Sequence, residues 1–132
     1  GKKIVFMKQI AGIIVLALAL VAFRAQGDKE GIINALKKGN ATQFSNYFDN
    51  LLDLKLPEKE EIKNIGKTQA SVTVKGFFDD NKISGFDLTS EREVSGTMYL
   101  TGKLSGSVRN YNITLMMKNR GDKLSIITLR IN

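Results

Sequence analysis

Neither cysteine nor histidine occurs anywhere in the 132 residues. No disulfide can staple the fold, and no thiolate or imidazole is available to hold zinc, copper or haem iron. Histidine-based triads and cysteine nucleophiles are excluded outright. A lipoprotein anchor needs a cysteine at its cleavage site, so the expectation is a chain without one. No metal site, cofactor or catalytic set is expected from this composition. Proline occurs once, as Pro57. Uninterrupted hydrophobic sequence is also short: the run from Ile10 to Phe23 spans 14 residues, where a bilayer-crossing helix needs about 20.

What is present is ordinary for a globular protein, with 42% apolar and 25% charged residues, and the length suits one domain. The formal charge of +7 invites a nucleic-acid reading until it is divided along the chain. Lys2, Lys3, Lys8 and Arg24 stand in residues 1–27 with no acid beside them. The remaining excess is small and spread out, which suits solubility rather than a phosphate footprint. No nucleic-acid partner is expected.

Residues 1–27 have a charged start, a short apolar centre and a small-residue end at Ala25-Gln26-Gly27. This is the pattern of a secretion signal. The expectation is export to the periplasm or beyond, with membrane contact only through that segment. Residues 28–132 then form a single domain.

Asp28 suits a helix N-cap, and Ile32, Ile33, Ala35 and Leu36 recur at helical spacing until Gly39 ends the run. Asn40 caps a second helix, with Gln43 three residues on. Phe44, Tyr47, Phe48 and Leu51 continue it at i, i+3, i+4 and i+7. Leu52, Leu54 and Leu56 then alternate with polar residues as a strand closed by Pro57, and a polar connection runs from Glu58 to Asn64. Ala70, Val74, Phe77 and Phe78 predict a helix over 66–79 despite the β-branched Val72, Thr73 and Val74. Asp79 to Lys82 reads as a turn.

Beyond Ile83 the period is two. Phe86 and Leu88, Met98 and Leu100, the run Tyr111, Ile113, Leu115 and Met117, and finally Ile127, Leu129 and Ile131 mark four strands. Turns at Ser95-Gly96, Ser105-Gly106 and Arg120-Gly121-Asp122 join them into an antiparallel meander. Helices followed by a sheet with one apolar face make an α+β domain, the helices covering that face.

Several short stretches, Ala35-Leu36-Lys37-Lys38-Gly39-Asn40-Ala41, Tyr47-Phe48, Gly66-Lys67-Thr68-Gln69-Ala70, Phe77-Phe78 and the ending Leu129-Arg130-Ile131, occur in an order that resembles a family of small exported Bacteroidetes proteins. That family is known as a domain of unknown function within the cystatin-like, nuclear-transport-factor-like superfamily. The resemblance implies a cystatin-like roll, a curved antiparallel sheet covered by about three helices. It also implies a cavity between sheet and helices, which Phe48, Phe77, Tyr99, Tyr111 and Met117 would line. Superfamily members include isomerases, dehydratases and plain binding modules, so fold alone does not choose.

Asp53 and Asp87 alternate with apolar neighbours and should face water, and Asp79, Asp80, Glu91 and Glu93 sit in turns or strand ends. Tyr111 shares a face with Ile113, Leu115 and Met117, so its hydroxyl needs a partner on the helix-covered side. Arg130 should point away from Leu129 and Ile131, toward an acid across the sheet. The leading expectation is therefore a non-catalytic domain that binds a small apolar or amphipathic ligand or a protein partner. An isomerase-type enzyme pairing a carboxylate with a tyrosine comes second, and a structural homodimer third.

Overall fold

The first turn-by-turn feature that decides the architecture is the break at Gly39. In the computed structural model, which describes residues 27–132, the chain opens with helix α1 over 27–37. The segment read as a secretion signal lies outside the described residues apart from Gly27. Ile32, Ala35 and Leu36 are fully buried on one face of α1. Asp28 lies within the helix rather than capping it, and its carboxylate accepts the Leu124 amide at 3.0 Å. Gly39 ends the helix with φ +64°, and the next amide, Asn40 N–H, donates to Ala35 O at 2.9 Å.

Asn40 caps α2 (Ala41–Ser45) by accepting Gln43 N–H at 3.0 Å. The expected continuation through Leu51 does not occur. Tyr47 O instead accepts the Ile126 amide at 2.8 Å, and Phe48 opens strand β1 (Phe48–Lys55) beside Ile126. An extended backbone from Phe48 onward carries the Leu51 amide out of reach of Tyr47 O, so the i+4 bond of a continuing helix is not made. Phe44 and Phe48 point inward in either conformation, so helical periodicity was satisfied by a helix-to-strand junction. Leu51, on the supposed apolar face, is exposed.

Leu52 and Leu54 alternate inward along β1, and Leu56 is buried just beyond it. Pro57 and Glu58 turn the chain, with Lys59 N–H donating to Leu56 O at 3.2 Å. Part of the expected polar connection is then a strand, β2 (Ile62–Gly66). It pairs only with β1 and buries only Ile65, so no alternating pattern announced it.

Helix α3 (Lys67–Asp80) matches the expected span within a residue and buries Ala70, Val74 and Phe78 at four-residue spacing. Asp79 and Asp80 are its last residues, and the turn proper falls on Asn81 and Lys82. The meander follows as β3 (Gly85–Val94), β4 (Thr97–Ser105), β5 (Asn110–Arg120) and β6 (Lys123–Ile131), each pair antiparallel.

The sheet order is β2-β1-β6-β5-β4-β3, and β1 runs parallel to β6. The sheet is therefore mixed, not wholly antiparallel as expected. Two irregularities refine the faces. A register shift between Met116 and Met117 against β6 turns Leu124 and Ile126 inward together with Leu129 and Ile131, leaving Ile127 half-buried. A second shift after Leu88 accompanies its partial exposure at the sheet edge.

Helices and sheet meet in one core. Phe44 packs edge-on to Phe48 and stacks on Phe78, with ring centroids 5.3 and 6.0 Å apart. Below them lie Leu100, Leu115, Met117 and Leu129, each at most 1% exposed. Among the described residues the buried polar side chains are Ser45 and Thr97, with no carboxylate or ammonium among them. No helix of the described residues is long and apolar enough to cross a membrane.

Candidate functional site

Five residues were expected to line a common cavity, and the fold divides them into three groups. Phe48 and Met117 belong to the core. Met117 is closed inside it at 0% exposed, and Phe48, 3% exposed, reaches only the floor of a separate groove beside Tyr47 and Lys123. Tyr99 pairs across the strands with Arg92 and Met116 on the opposite face of the sheet, and its ring lies 5.1 Å from the Arg92 guanidinium. Only Phe77 and Tyr111 come together at an opening.

That opening is a groove of about 390 Å³ where the C-terminal half of α3, the turn after β1 and the start of β5 converge. The groove beside Tyr47 and Lys123 is equally large, and one between α1 and β3 is nearly so. Volume therefore does not single out a site; the side chains do. Phe77 meets Tyr111 edge-to-face with ring centroids 5.1 Å apart. Arg109 lies over the same tyrosine, its guanidinium carbon 4.5 Å from the ring centroid.

Asn81 holds this arrangement in place. Its side chain accepts the Tyr111 hydroxyl at 2.8 Å and donates to Phe77 O at 2.9 Å. Its carbonyl accepts Ser107 N–H at 3.0 Å, which ties the β4–β5 hairpin to the end of α3. Gly106 N–H donates in turn to Arg109 O at 3.1 Å. The hydroxyl that the sequence placed on the helix-covered side thus finds an amide, not a carboxylate. Removing it as Tyr111→Phe is expected to cost about 1 kcal/mol, because the half-buried Asn81 oxygen loses its donor. Urea denaturation checks this, and a midpoint identical to the parent would show that the hydrogen bond contributes nothing net.

Two local departures from good backbone chemistry border the same groove. Gly76 lies inside α3, where glycine costs about 1 kcal/mol relative to alanine. A Cβ there would meet nothing within 4 Å, so no packing demand explains it. Glu58 adopts φ +62° in the third position of its turn, a place where glycine normally sits. Val72, also at the groove, is 67% exposed. Gly76 interrupts a helical pattern and so could have been noticed in the sequence. The role of Asn81 could not, since it depends on a contact 30 residues away.

The remaining acids are engaged elsewhere or open to solvent. Asp53 accepts Asn64 N–H at 3.0 Å, Asp79 pairs with Lys75 at 2.9 Å, and Glu91 pairs with Lys29 at 3.0 Å. Arg130 does face an acid across the sheet, Glu61 at 3.7 Å. Asp87 is exposed. Among the described residues no group of three acids could hold a metal ion.

A curved sheet of this order with helices over one face defines a cystatin-like α+β roll. A cystatin-fold protein from Novosphingobium aromaticivorans superposes with a TM-score of 0.57 at 10% identity, covering 80% of this chain and 95% of that one. The chain belongs to the family described as a domain of unknown function, DUF4783, whose pattern matches residues 29–132. Crystal structures of family members agree. One from Bacteroides uniformis is 24% identical with a TM-score of 0.72, covering 78% of this chain and 94% of that chain. Another from Bacteroides fragilis is 26% identical with a TM-score of 0.68, covering 76% and 93%. No curated protein matches the chain.

Proposed function

We propose that this is a non-catalytic binding domain that acts after export and holds an amphipathic small molecule in the Phe77–Tyr111 groove. The observation that carries this reading is Gly76. A mid-helix glycine with open space above it, beside the half-buried Phe77 ring and the exposed Arg109, keeps a surface clear at a cost to the helix. Proteins that break local rules tend to do so where they work. The groove also lies within the size range of small-molecule sites, about 300–1,000 Å³.

The isomerase-type alternative requires an acid at a cavity tyrosine. Glu58 and Asp80 line the groove, but the Tyr111 hydroxyl donates to Asn81 rather than to either acid, and Tyr99 lies on the other face beneath Arg92. This geometry favours holding a ligand over transforming it.

The test is native mass spectrometry of the chain purified from a periplasmic or extracellular fraction, set beside Gly76→Leu. Leucine suits a helix and fills the groove without touching the core. A released small-molecule mass in the parent that is lost in Gly76→Leu is the expected result. A chain free of adduct in both, with no change in groove amide shifts on adding envelope extract, would count against a binding role for this surface.

A further inference from the structure

The groove's charges do not by themselves choose a ligand, because Lys59 and Arg109 are balanced by Glu58 and Asp80. The position of Arg109 does choose. Neither acid forms a salt bridge with it, and among the described residues its guanidinium makes no hydrogen bond to a carboxylate. It is instead held on the Tyr111 ring, whose own hydroxyl is fixed by Asn81. Stacking uses the face of a guanidinium and leaves its in-plane N–H donors free, and those donors match a carboxylate in a forked pair.

The neighbouring surface is shaped for a flat body. Where α3 passes the groove, Gly76 presents bare backbone with nothing within 4 Å of its missing Cβ. Phe77 supplies an apolar ring beside it, and Val72 and Leu56 extend that surface. A planar ring system can lie flat against that bare backbone, with the Leu56–Lys59 turn forming the other side of the groove.

Resting on the binding role proposed above, we infer that the groove takes a planar apolar acid. Its ring lies over Gly76 against Phe77, and its single carboxylate is held by Arg109. The bond formed is a charge-assisted hydrogen-bonded pair, with no covalent step.

The probes are naphthoate, its neutral isostere naphthamide, and adamantane carboxylate, which keeps the charge but is globular. Each is titrated into the full 132-residue chain while amide chemical shifts are followed by NMR. Naphthoate should shift the amides of Gly76, Phe77 and Arg109 and bind about tenfold more tightly than either other probe. Arg109→Gln, an exposed position whose loss leaves the core intact, should abolish the preference for naphthoate over naphthamide without abolishing naphthamide binding. Equal affinity for naphthoate and naphthamide at the groove would overturn the assignment to Arg109 while leaving the binding role standing. Equal affinity for naphthoate and adamantane carboxylate would overturn the planar requirement alone. Absence of shifts at all three residues with every probe would overturn the inference, while the binding role itself stands or falls on the adduct and envelope-extract test above.

Discussion

Gly39→Ala should destabilise the domain by about 3 kcal/mol, whereas Gly121→Ala should cost only about 1 kcal/mol. Both glycines sit in the left-handed region, at φ +64° and +70°. An alanine pays the steric cost of that conformation at either place. What differs is the space. A Cβ at Gly39 would lie 1.9 Å from Ile83 O and 2.8 Å from Ile83 C, while at Gly121 it meets nothing within 4 Å. The obstruction at Gly39 is backbone, so no rotamer change relieves it. Relief requires moving the end of α1 away from the segment that leads from α3 into β3. That segment is itself held, since Ile83 N–H donates to Phe78 O at 3.0 Å and Ser84 N–H to Ser105 O at 2.9 Å. Denaturant midpoints of the two variants against the parent measure the difference directly. Equal losses would mean that the contact between the end of α1 and the segment leading into β3 yields easily and that only the left-handed backbone is being measured.

The same site shows what a sequence reveals and what it conceals. Gly39 between two apolar-periodic runs announces a helix end through backbone chemistry that is local, and α1 does end there. The close approach of Ile83 is not local, and nothing in the neighbouring residues encodes it. The contrast recurs throughout. The faces of α3 and β5 were legible because each buries its apolar residues in an unbroken period. β2 was not, because an edge strand that buries one residue has no period to read. The junction at Ser45–Phe48 misled for a different reason: a residue pair four apart in a helix and the end of a helix followed by the start of a strand can bury the same two rings. At β6 the expected inward set was displaced by a single register shift, which put Ile126 where Ile127 had been placed. Of the candidate site, Phe77 and Tyr111 were foreseen as apolar aromatics on interior-facing elements. Their meeting at a groove edge depends on Asn81, a residue with no sequence signal beyond its place in a turn. Tyr99 was grouped with them although the strand alternation around Leu100 already assigns it to the other face.

Phe44→Ala is the substitution expected to be most damaging, at about 3–5 kcal/mol. α2 is one and a half turns long, too short to hold itself together in water. It persists because Phe44 anchors it, fully buried, between Phe48 at the start of β1 and Phe78 near the end of α3. Truncation therefore removes two ring contacts and opens a cavity at the junction of three elements. The neighbours have little freedom to collapse into it, since Phe48 is tied into the sheet beside Ile126 and Phe78 accepts a backbone hydrogen bond from Ile83. Phe44→Leu, which keeps most of the volume, should lose about 1 kcal/mol, and the gap between the two variants reports the cavity rather than the helix. The readout is the urea midpoint by circular dichroism, joined to amide exchange in Ala41–Ser45. If Phe44→Ala cost less than its leucine counterpart, or if exchange in α2 were unchanged, the helix would owe its stability to the Asn40 cap instead. The cap alone contributes about 1 kcal/mol. That is too little to offset the ordering of the five residues of α2, which costs about 1 kcal/mol or more for each, so the ring cluster must supply the rest.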